Sequence, residues 1–228
     1  MRQTDKIYVA GHTGMVGSAL VRALENRGYQ NIIKITHKEL DLTKQQEVKD
    51  FFEEVRPDYV FLAAARVGGI FANRTFPVEF LLENLLIQSN ILSCSHIYGV
   101  KKLVAYGSSC MYPKNCSQPI KEEYLLTGEL ESTNEAYAMA KLAGTVLCKN
   151  YNKQYGTQYI NLVPANLYGI NDNYNENSSH VIPALMKKIH EARDNGLPCV
   201  EIWGTGKPVR DFLFADDLAD ASLYVMER

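Results

Sequence analysis

Ile7-Tyr8-Val9-Ala10-Gly11-His12-Thr13-Gly14-Met15-Val16-Gly17 opens on four apolar residues and closes on a G-x-x-G-x-x-G pattern. The first four read as a buried strand. Val16, Ala19, Leu20, Ala23 and Leu24 then mark one face of a helix that Gly28 stops. Glycines between a strand and a helix permit a tight turn, close approach of backbone to a pyrophosphate, and close packing of helix on strand. The helix N-terminus behind them offers N–H groups and the positive end of its dipole to an anion. Glycine-rich turns are common, but the strand–turn–helix setting favours dinucleotide binding over a purely structural turn.

Working outward, apolar runs alternate with helix-period stretches, the pattern of βαβ units and a parallel sheet. Ile32-Ile33-Lys34-Ile35 reads as a second strand. Thr43 is the expected N-cap of a helix carrying Val48, Phe51, Phe52 and Val55 on one face, ended by Pro57-Asp58. Residues 59–65 read as a fully buried third strand. Residues 77–98 form a long helical stretch with apolar residues almost all round, which suits either a deep core helix or a subunit interface. A strand at 102–106, a helix at 134–155 and a strand at 159–163 follow. The polar, aromatic segment 168–180 then leaves the sheet, residues 181–194 look helical, and Phe212-Leu213-Phe214 reads as a strand with Asp216-Asp217 capping the next helix. The expected fold is α/β, a doubly wound parallel (Rossmann) sheet. Residues 1–167 form the dinucleotide-binding domain, and 168–228 a smaller, truncated C-terminal substrate lobe with a returning strand and helix.

Composition narrows the class. The chain has 228 residues, 46% hydrophobic, with 24 Lys+Arg against 26 Asp+Glu and a net charge of −2. That excludes disorder as the main theme and a basic surface for nucleic acid. No run reaches the roughly 20 apolar residues of a membrane span, and no cleavable signal precedes the first strand. Cys94, Cys110, Cys116, Cys148 and Cys199 are odd in number with no C-x-x-C pair. They point to free thiols in a reducing, cytoplasmic setting and to neither a disulfide framework nor a metal site.

At the end of the second strand an acid would bind a ribose 2′-hydroxyl. Thr36-His37-Lys38 stands there instead, with Glu39 one place later. A cation and hydrogen-bond donors suit a 2′-phosphate, so the expected cofactor is NADP(H); Lys38 as a plain solvated turn lysine is the competing reading. Asp41 and Leu42 follow at a position suited to the adenine edge. Tyr137 and Lys141, four apart on one helical face, pair a phenol with an ammonium that is expected to pull the phenol from about 10 toward neutrality. That would make Tyr137 a proton donor to a carbonyl. Ser108, at a strand's carboxyl end, can hydrogen-bond the same oxygen.

The glycine loop, Ser108, and Tyr137 with Lys141 resemble the extended short-chain dehydrogenase/reductase superfamily. Finer text resembles its GDP-L-fucose synthase family over essentially the whole chain. The blocks are residues 107–114 (GSSCMYPK), 126–128 (LTG), 133–137 (TNEAY), 164–169 (PANLYG), 179–185 (SHVIPAL), and Trp203-Gly204-Thr205-Gly206 leading to Arg210-Asp211-Phe212-Leu213. The resemblance implies epimerisation at C3 and C5 of GDP-4-keto-6-deoxy-D-mannose, then NADPH reduction at C4. It implies Cys110 as base and His180 as acid, groups that titrate near neutrality beside suitable partners, with Ser108, Tyr137 and Lys141 completing the catalytic set. It also implies Gly11, Thr13, Gly14, Met15, Val16, Gly17, His37, Lys38, Asp41, Leu42, Ala64, Lys141, Pro164, Leu167 and His180 at the cofactor. Asn166, Lys188, Trp203 and Arg210 would meet the substrate, Arg210 as a phosphate clamp. Taken alone, Cys110 reads as an inert core residue, His180 as a capping residue, Arg210 as an ion-pair partner of Asp211, and Trp203 as packing. Thr13 and His37 stand where bacterial members often carry arginine. Members continue past the Asp216-Asp217 helix to complete the substrate lobe, so an incomplete second lobe is expected. A second copy of the chain, docked through the 77–98 helix and a neighbouring helix, is the expected protein partner. The alternatives are a related nucleotide-sugar epimerase or dehydratase holding NAD, or a non-catalytic dinucleotide-binding module.

Overall fold

The computed structural model describes residues 1–175, 178–202 and 204–228. Strand β1 (Ile7–Ala10) is buried along its whole length, because a helical layer covers each face of the sheet to which it belongs. It pairs in parallel with β2 (Ile32–Ile33) and β3 (Tyr59–Leu62); β4 (Lys102–Tyr106) and β5 (Tyr159–Leu162) extend the sheet beyond β3 in the order β2-β1-β3-β4-β5. The order reverses direction at β1 and β3, the switch point beside which open α/β sheets bind ligands at their carboxyl edge.

On one face α1 (Met15–Asn26) contributes Ala19, Leu20 and Leu24, and α7 (Ala215–Glu227) contributes Leu218, Ala219, Leu223 and Met226. On the other face lie α2 (Gln45–Val55), α4 (Pro77–Ile97) and α5 (Glu135–Tyr155), whose Val48, Phe52, Ile91, Leu92 and Cys148 pack against Tyr8, Val60 and Leu103. Full burial of a side chain such as Phe52 is worth about 1.5–3 kcal/mol.

A second, two-stranded parallel sheet pairs β6 (Asn166–Tyr168) with β7 (Phe212–Phe214), and α6 (Val181–Asp194) lies between them in sequence. Helix α7 leaves β7 directly and returns onto α1 and β4. There Arg22 makes a bidentate pair with Asp216 (2.9 and 2.8 Å) and the Tyr29 hydroxyl donates to Glu227 (2.8 Å).

Several local expectations change. The N-cap of α2 is Lys44, not Thr43. The Asp41 carboxylate engages Thr43 first, accepting from its amide (2.9 Å) and hydroxyl (2.7 Å), so that hydroxyl is not the cap. Strand β2 keeps only two of its four expected residues. Asp216 and Asp217 lie in the first turn of α7 behind Phe214 at the N-cap, where their charge suits the dipole without capping. The short α3 (Ile70–Thr75) and β6 were not anticipated, since neither is long enough to show a period.

Helix α4 also departs from expectation in what it buries. Its contacts with β3, α2 and α5 bury Asn84, Gln88, Asn90 and Ser95 beside Ile91 and Leu92, while Val78, Leu82 and Ile97 face outward. Gly144 of α5 lets that helix approach. A Cβ built there would lie 1.9 Å from Gln88 Oε1, and the Gln88 amide is fixed by bonds to the carbonyls of Asn84 (2.9 Å) and Ala140 (3.0 Å). Gly144→Ala is therefore expected to cost about 1–3 kcal/mol by overpacking. Chemical denaturation measures it, and an unchanged midpoint would show that the interface is looser than drawn.

Among the described residues no helix is long and apolar enough to cross a membrane, and no group of three or more His, Cys, Asp or Glu could hold a metal ion. All five cysteines are free thiols.

Candidate active site

The carboxyl ends of the strands carry the loops that meet at the site. Gly11 has φ +83°, and a Cβ there would lie 2.7 Å from the backbone of Ala64, the second residue past β3. The glycine loop thus rests directly on the β3 loop across the switch point. Gly17 is buried, and its Cβ would lie 2.1 Å from the Gly11 carbonyl oxygen, so α1 packs against its own loop through a bare Cα. Gly14, the N-cap of α1, is extended with no side-chain cap. The amides of Met15 and Val16 have no hydrogen-bond partner among the described residues. This open helix N-terminus, with Thr13 exposed at its rim, fits the pyrophosphate of a dinucleotide.

Past β2, Glu39 is consumed by its own turn. Its Oε2 accepts from the Thr36 amide (2.9 Å) and hydroxyl (2.6 Å), and those hydrogen bonds, with His12 nearby, hold the carboxyl below its usual range. His37 and Lys38 are exposed on that turn, and Lys38 pairs with no acid among the described residues. The sequence reading of Asp41 and Leu42 needs correction at the level of side chains. Asp41 Oδ1 is taken by Thr43, and Leu42 is buried in the core beside Val48 and Phe52. The Leu42 side chain is therefore withdrawn from an adenine, which would meet the backbone of this segment and the Asp41 Oδ2 that Thr43 does not engage.

Past β4 the chemistry concentrates. Ser108 is the N-cap of a single 3₁₀ turn, residues 109–111, which swings Cys110 back over it. The Cys110 thiol donates to Ser108 Oγ at 3.1 Å, and the Cys110 amide approaches the same oxygen at 3.4 Å. Accepting both leaves the Ser108 proton free to donate to a substrate oxygen.

From α5, Lys141 donates to the carbonyl of Tyr106 (2.8 Å) and sits 5.8 Å from the centre of the Tyr137 ring. Phe80 of α4 meets that ring edge-on at 6.3 Å. The Tyr137 hydroxyl has no hydrogen-bond partner among the described residues, so it is available to a ligand.

The electrostatics overturn one expectation. Burial pushes the Tyr137 phenol up, and the neighbouring Cys110 adds to the shift; it does not fall toward neutrality. Lys141 is itself buried, which lowers it to about 8, and its ammonium is directed at the Tyr106 carbonyl. The phenol therefore stays protonated at pH 7, which is the form a proton donor needs. Cys110 is likewise pushed up by burial, with the Ser108 hydrogen bond and the Lys141 charge pulling it part of the way back.

The C-terminal residues are gathered less tightly. His180 is exposed at the N-cap of α6, on a loop tied to the β3–α3 connection by the Gly69 amide donating to the Ser178 carbonyl (3.0 Å). Asn166 donates twice to the Asp211 carbonyl, from its amide nitrogen (3.2 Å) and its side chain (3.0 Å), so it lies beside Arg210. Arg210 is exposed and bonds only its neighbour Val209 (2.7 Å) among the described contacts. Lys188 reaches the Glu201 carbonyl at 3.4 Å. Pro164 is half-buried after β5, and Leu167 packs into the core beneath α7, which leaves its backbone alone for a cofactor. Trp203 lies outside the described residues. Reading by motif missed Asn84, Gln88, Asn90 and Tyr106, whose hydrogen bonds hold the site from behind; a polar residue inside an apolar helix period was the available signal.

The family model "NAD dependent epimerase/dehydratase family" matches residues 7–228. The chain belongs to that family. It is similar to GDP-L-fucose synthase 1 of Arabidopsis thaliana, 53% identical over 226 residues that cover 99% of this chain and 70% of that protein. Among solved structures, GDP-mannoheptose C4 reductase from Campylobacter jejuni with NADP bound superposes with a TM-score of 0.92 at 42% identity, over 100% of this chain and 76% of that one. A GDP-L-fucose synthetase from Naegleria fowleri bound to NADP gives 0.91 at 36%, over 99% and 74%. The family match thus takes in every strand and helix of the described chain, including the second sheet.

Proposed function

We propose that the chain carries out NADPH-dependent 3,5-epimerisation and 4-reduction of GDP-4-keto-6-deoxy-D-mannose, yielding GDP-L-fucose. The observation that carries this reading is the thiol of Cys110 seated 3.1 Å from Ser108 Oγ, beside Tyr137 and Lys141. Serine, tyrosine and lysine suffice for carbonyl reduction. A half-buried thiol among them supplies what reduction does not need, a base for a carbon acid next to the carbonyl. Similarity to GDP-L-fucose synthases and to NADP-bound reductases of GDP-sugars supports the same conclusion.

In this reading the Cys110 thiolate removes the proton at C3 or C5, and the Ser108 and Tyr137 hydroxyls hold the enolate oxygen at C4. His180 returns a proton from the opposite face, inverting the centre. When bound, NADPH supplies the hydride to C4, and Tyr137 then gives its proton to the alkoxide. Lys141 keeps a cation beside the developing phenolate. Arg210, Lys188, Asn166 and Trp203 would hold the GDP-sugar, with residues 168–228 acting as the substrate lobe apart from α7, which returns to the face of the main sheet. The outward Val78 and Leu82 of α4 and Met139 and Val146 of α5 support a homodimer through this helix pair.

Incubation with GDP-4-keto-6-deoxy-D-mannose and NADPH in deuterated water tests the assignment. Cofactor oxidation with label at C3 and C5 is expected; oxidation without label would mark a simple 4-reductase, and a preference for a GDP-linked keto-heptose would move the substrate. Because burial raises the Cys110 thiol, the labelling rate without NADPH should climb about tenfold per pH unit through neutrality. It should level off only above the ordinary thiol value of about 8.5. Cys110→Ser is expected to lose labelling while NADPH binding persists, and label entering at an unchanged rate removes the base assignment.

A further inference from the structure

The site just described is held from behind by one helix. Three side-chain amides of α4 are buried, none more than 6% exposed, at positions that the helix period would otherwise fill with leucine or isoleucine. Asn84 bonds both main-chain groups of Arg66: its Oδ1 accepts from the Arg66 amide (3.0 Å), and its Nδ2 donates to the Arg66 carbonyl (3.0 Å) and to Phe80 of its own helix (2.7 Å). Gln88 Nε2 donates to the carbonyl of Ala140 in α5 (3.0 Å) and to that of Asn84 (2.9 Å). Asn90 Nδ2 donates to the carbonyl of Leu42 (2.9 Å).

The three targets have something in common. Arg66 lies two residues past Ala64, on which Gly11 rests. Ala140 immediately precedes Lys141. Leu42 belongs to the segment that the adenine would meet. Burying an amide costs several kcal/mol unless it is bonded, and an apolar residue of similar size would pack there at no such cost. Bonded to the backbone of two loops and of helix α5, these amides instead set where each segment lies relative to the others.

We propose that Asn84, Gln88 and Asn90 are positioning residues that register the adenine-side loop, the β3 loop and the Tyr137–Lys141 helix against one another. The inference rests on the NADP reading above, and it predicts that the amides act on different parts of the cofactor. Asn90→Leu frees the Leu42 loop and should weaken NADPH and the fragment adenosine 2′,5′-bisphosphate by the same factor, about tenfold (1.4 kcal/mol). Gln88→Met frees α5 at Lys141 and should leave the fragment within twofold while lowering the single-turnover reduction rate about tenfold.

The test is titration of the 228-residue chain with NADPH (fluorescence) and with the fragment (calorimetry), alongside circular dichroism of each variant. Asn90→Ala replaces Asn90→Leu, and Gln88→Leu replaces Gln88→Met, if either fails to fold. An equal loss of NADPH and fragment binding in the Asn90 variant, with fragment binding kept and single-turnover reduction slowed in the Gln88 variant, supports the proposal. Equal losses in both variants, as a merely structural role would give, overturn it, and so does unchanged binding in two folded variants. Failure of the unaltered chain to bind the fragment defeats the NADP reading, and this inference with it.

Discussion

Lys141→Met is expected to abolish reduction and yet to stabilise the protein at neutral pH. The catalytic half follows from removing the cation beside Tyr137, whose phenol burial already holds high. Loss of assisted proton transfer costs about 10²–10⁴-fold in rate. The stability half follows from the sign of the shift. Lys141 titrates at about 8 in the folded chain, against about 10.4 unfolded, because it is buried. Below pH 8 both states carry the proton, and the folded state bears the full penalty of a buried charge, on the order of 3 kcal/mol. Between pH 8 and 10.4 the unfolded chain still holds a proton that the folded one has released, so this penalty is recovered as pH rises. Methionine removes the penalty at every pH and gives back about 1 kcal/mol for the orphaned Tyr106 carbonyl. Thermal denaturation at pH 7 should show the variant melting a few degrees higher, with the gap closing toward pH 10. A variant that melts lower at pH 7 would mean that Lys141 is better paired than the Tyr106 bond implies.

Gly17→Ala should unfold the amino-terminal edge of the site. The new methyl would lie 2.1 Å from the Gly11 carbonyl oxygen and 2.7 Å from the His12 Cα, all of it main chain, so nothing flexible can yield. Displacing α1 also breaks its packing on α7 and the contact of Gly11 with Ala64. A loss above about 3 kcal/mol is expected, which for a chain of this length is roughly 10 °C in Tm, together with loss of NADPH binding. Gly14→Ala is the control. Its Cβ meets only the Gly11 oxygen at an ordinary 3.5 Å and its backbone is already extended. It should therefore leave Tm nearly unchanged and weaken NADPH alone, by placing a methyl where the pyrophosphate approaches the uncapped helix. Equal melting of the two variants would remove the distinction between a packing glycine and a binding glycine in this loop.

Strand–turn–helix order was legible because burial on both faces leaves a local imprint. Strands β1, β3 and β4 are short apolar runs, and α1 and α2 carry a clean apolar face. Where the imprint is weak, reading failed for identifiable reasons. Thr43 has the chemistry of a cap, but Asp41 two residues earlier competes for it. Helix α4 is apolar nearly all round, yet it buries three amides and exposes Val78 and Leu82, because its partners are backbone carbonyls and amides that no periodicity announces. The residues of the site were named through motifs, and their protonation was not. Tyr137 and Lys141 at i, i+4 suggest a lowered phenol, whereas burial moves the phenol up and the lysine down.

Ile7 to Gly17 therefore decided a great deal unaided. Backbone sterics and a free helix N-terminus are local properties, so a glycine at each of three positions between a buried run and an amphipathic one specifies the turn and the anion site together. Other features lay beyond any local reading. They include the approach of Gly11 to Ala64, the bond of Lys141 to the Tyr106 carbonyl, and the three amides of α4 behind the site. Each depends on atoms distant in sequence and on the desolvation that packing imposes, and only the tertiary structure brings those into being.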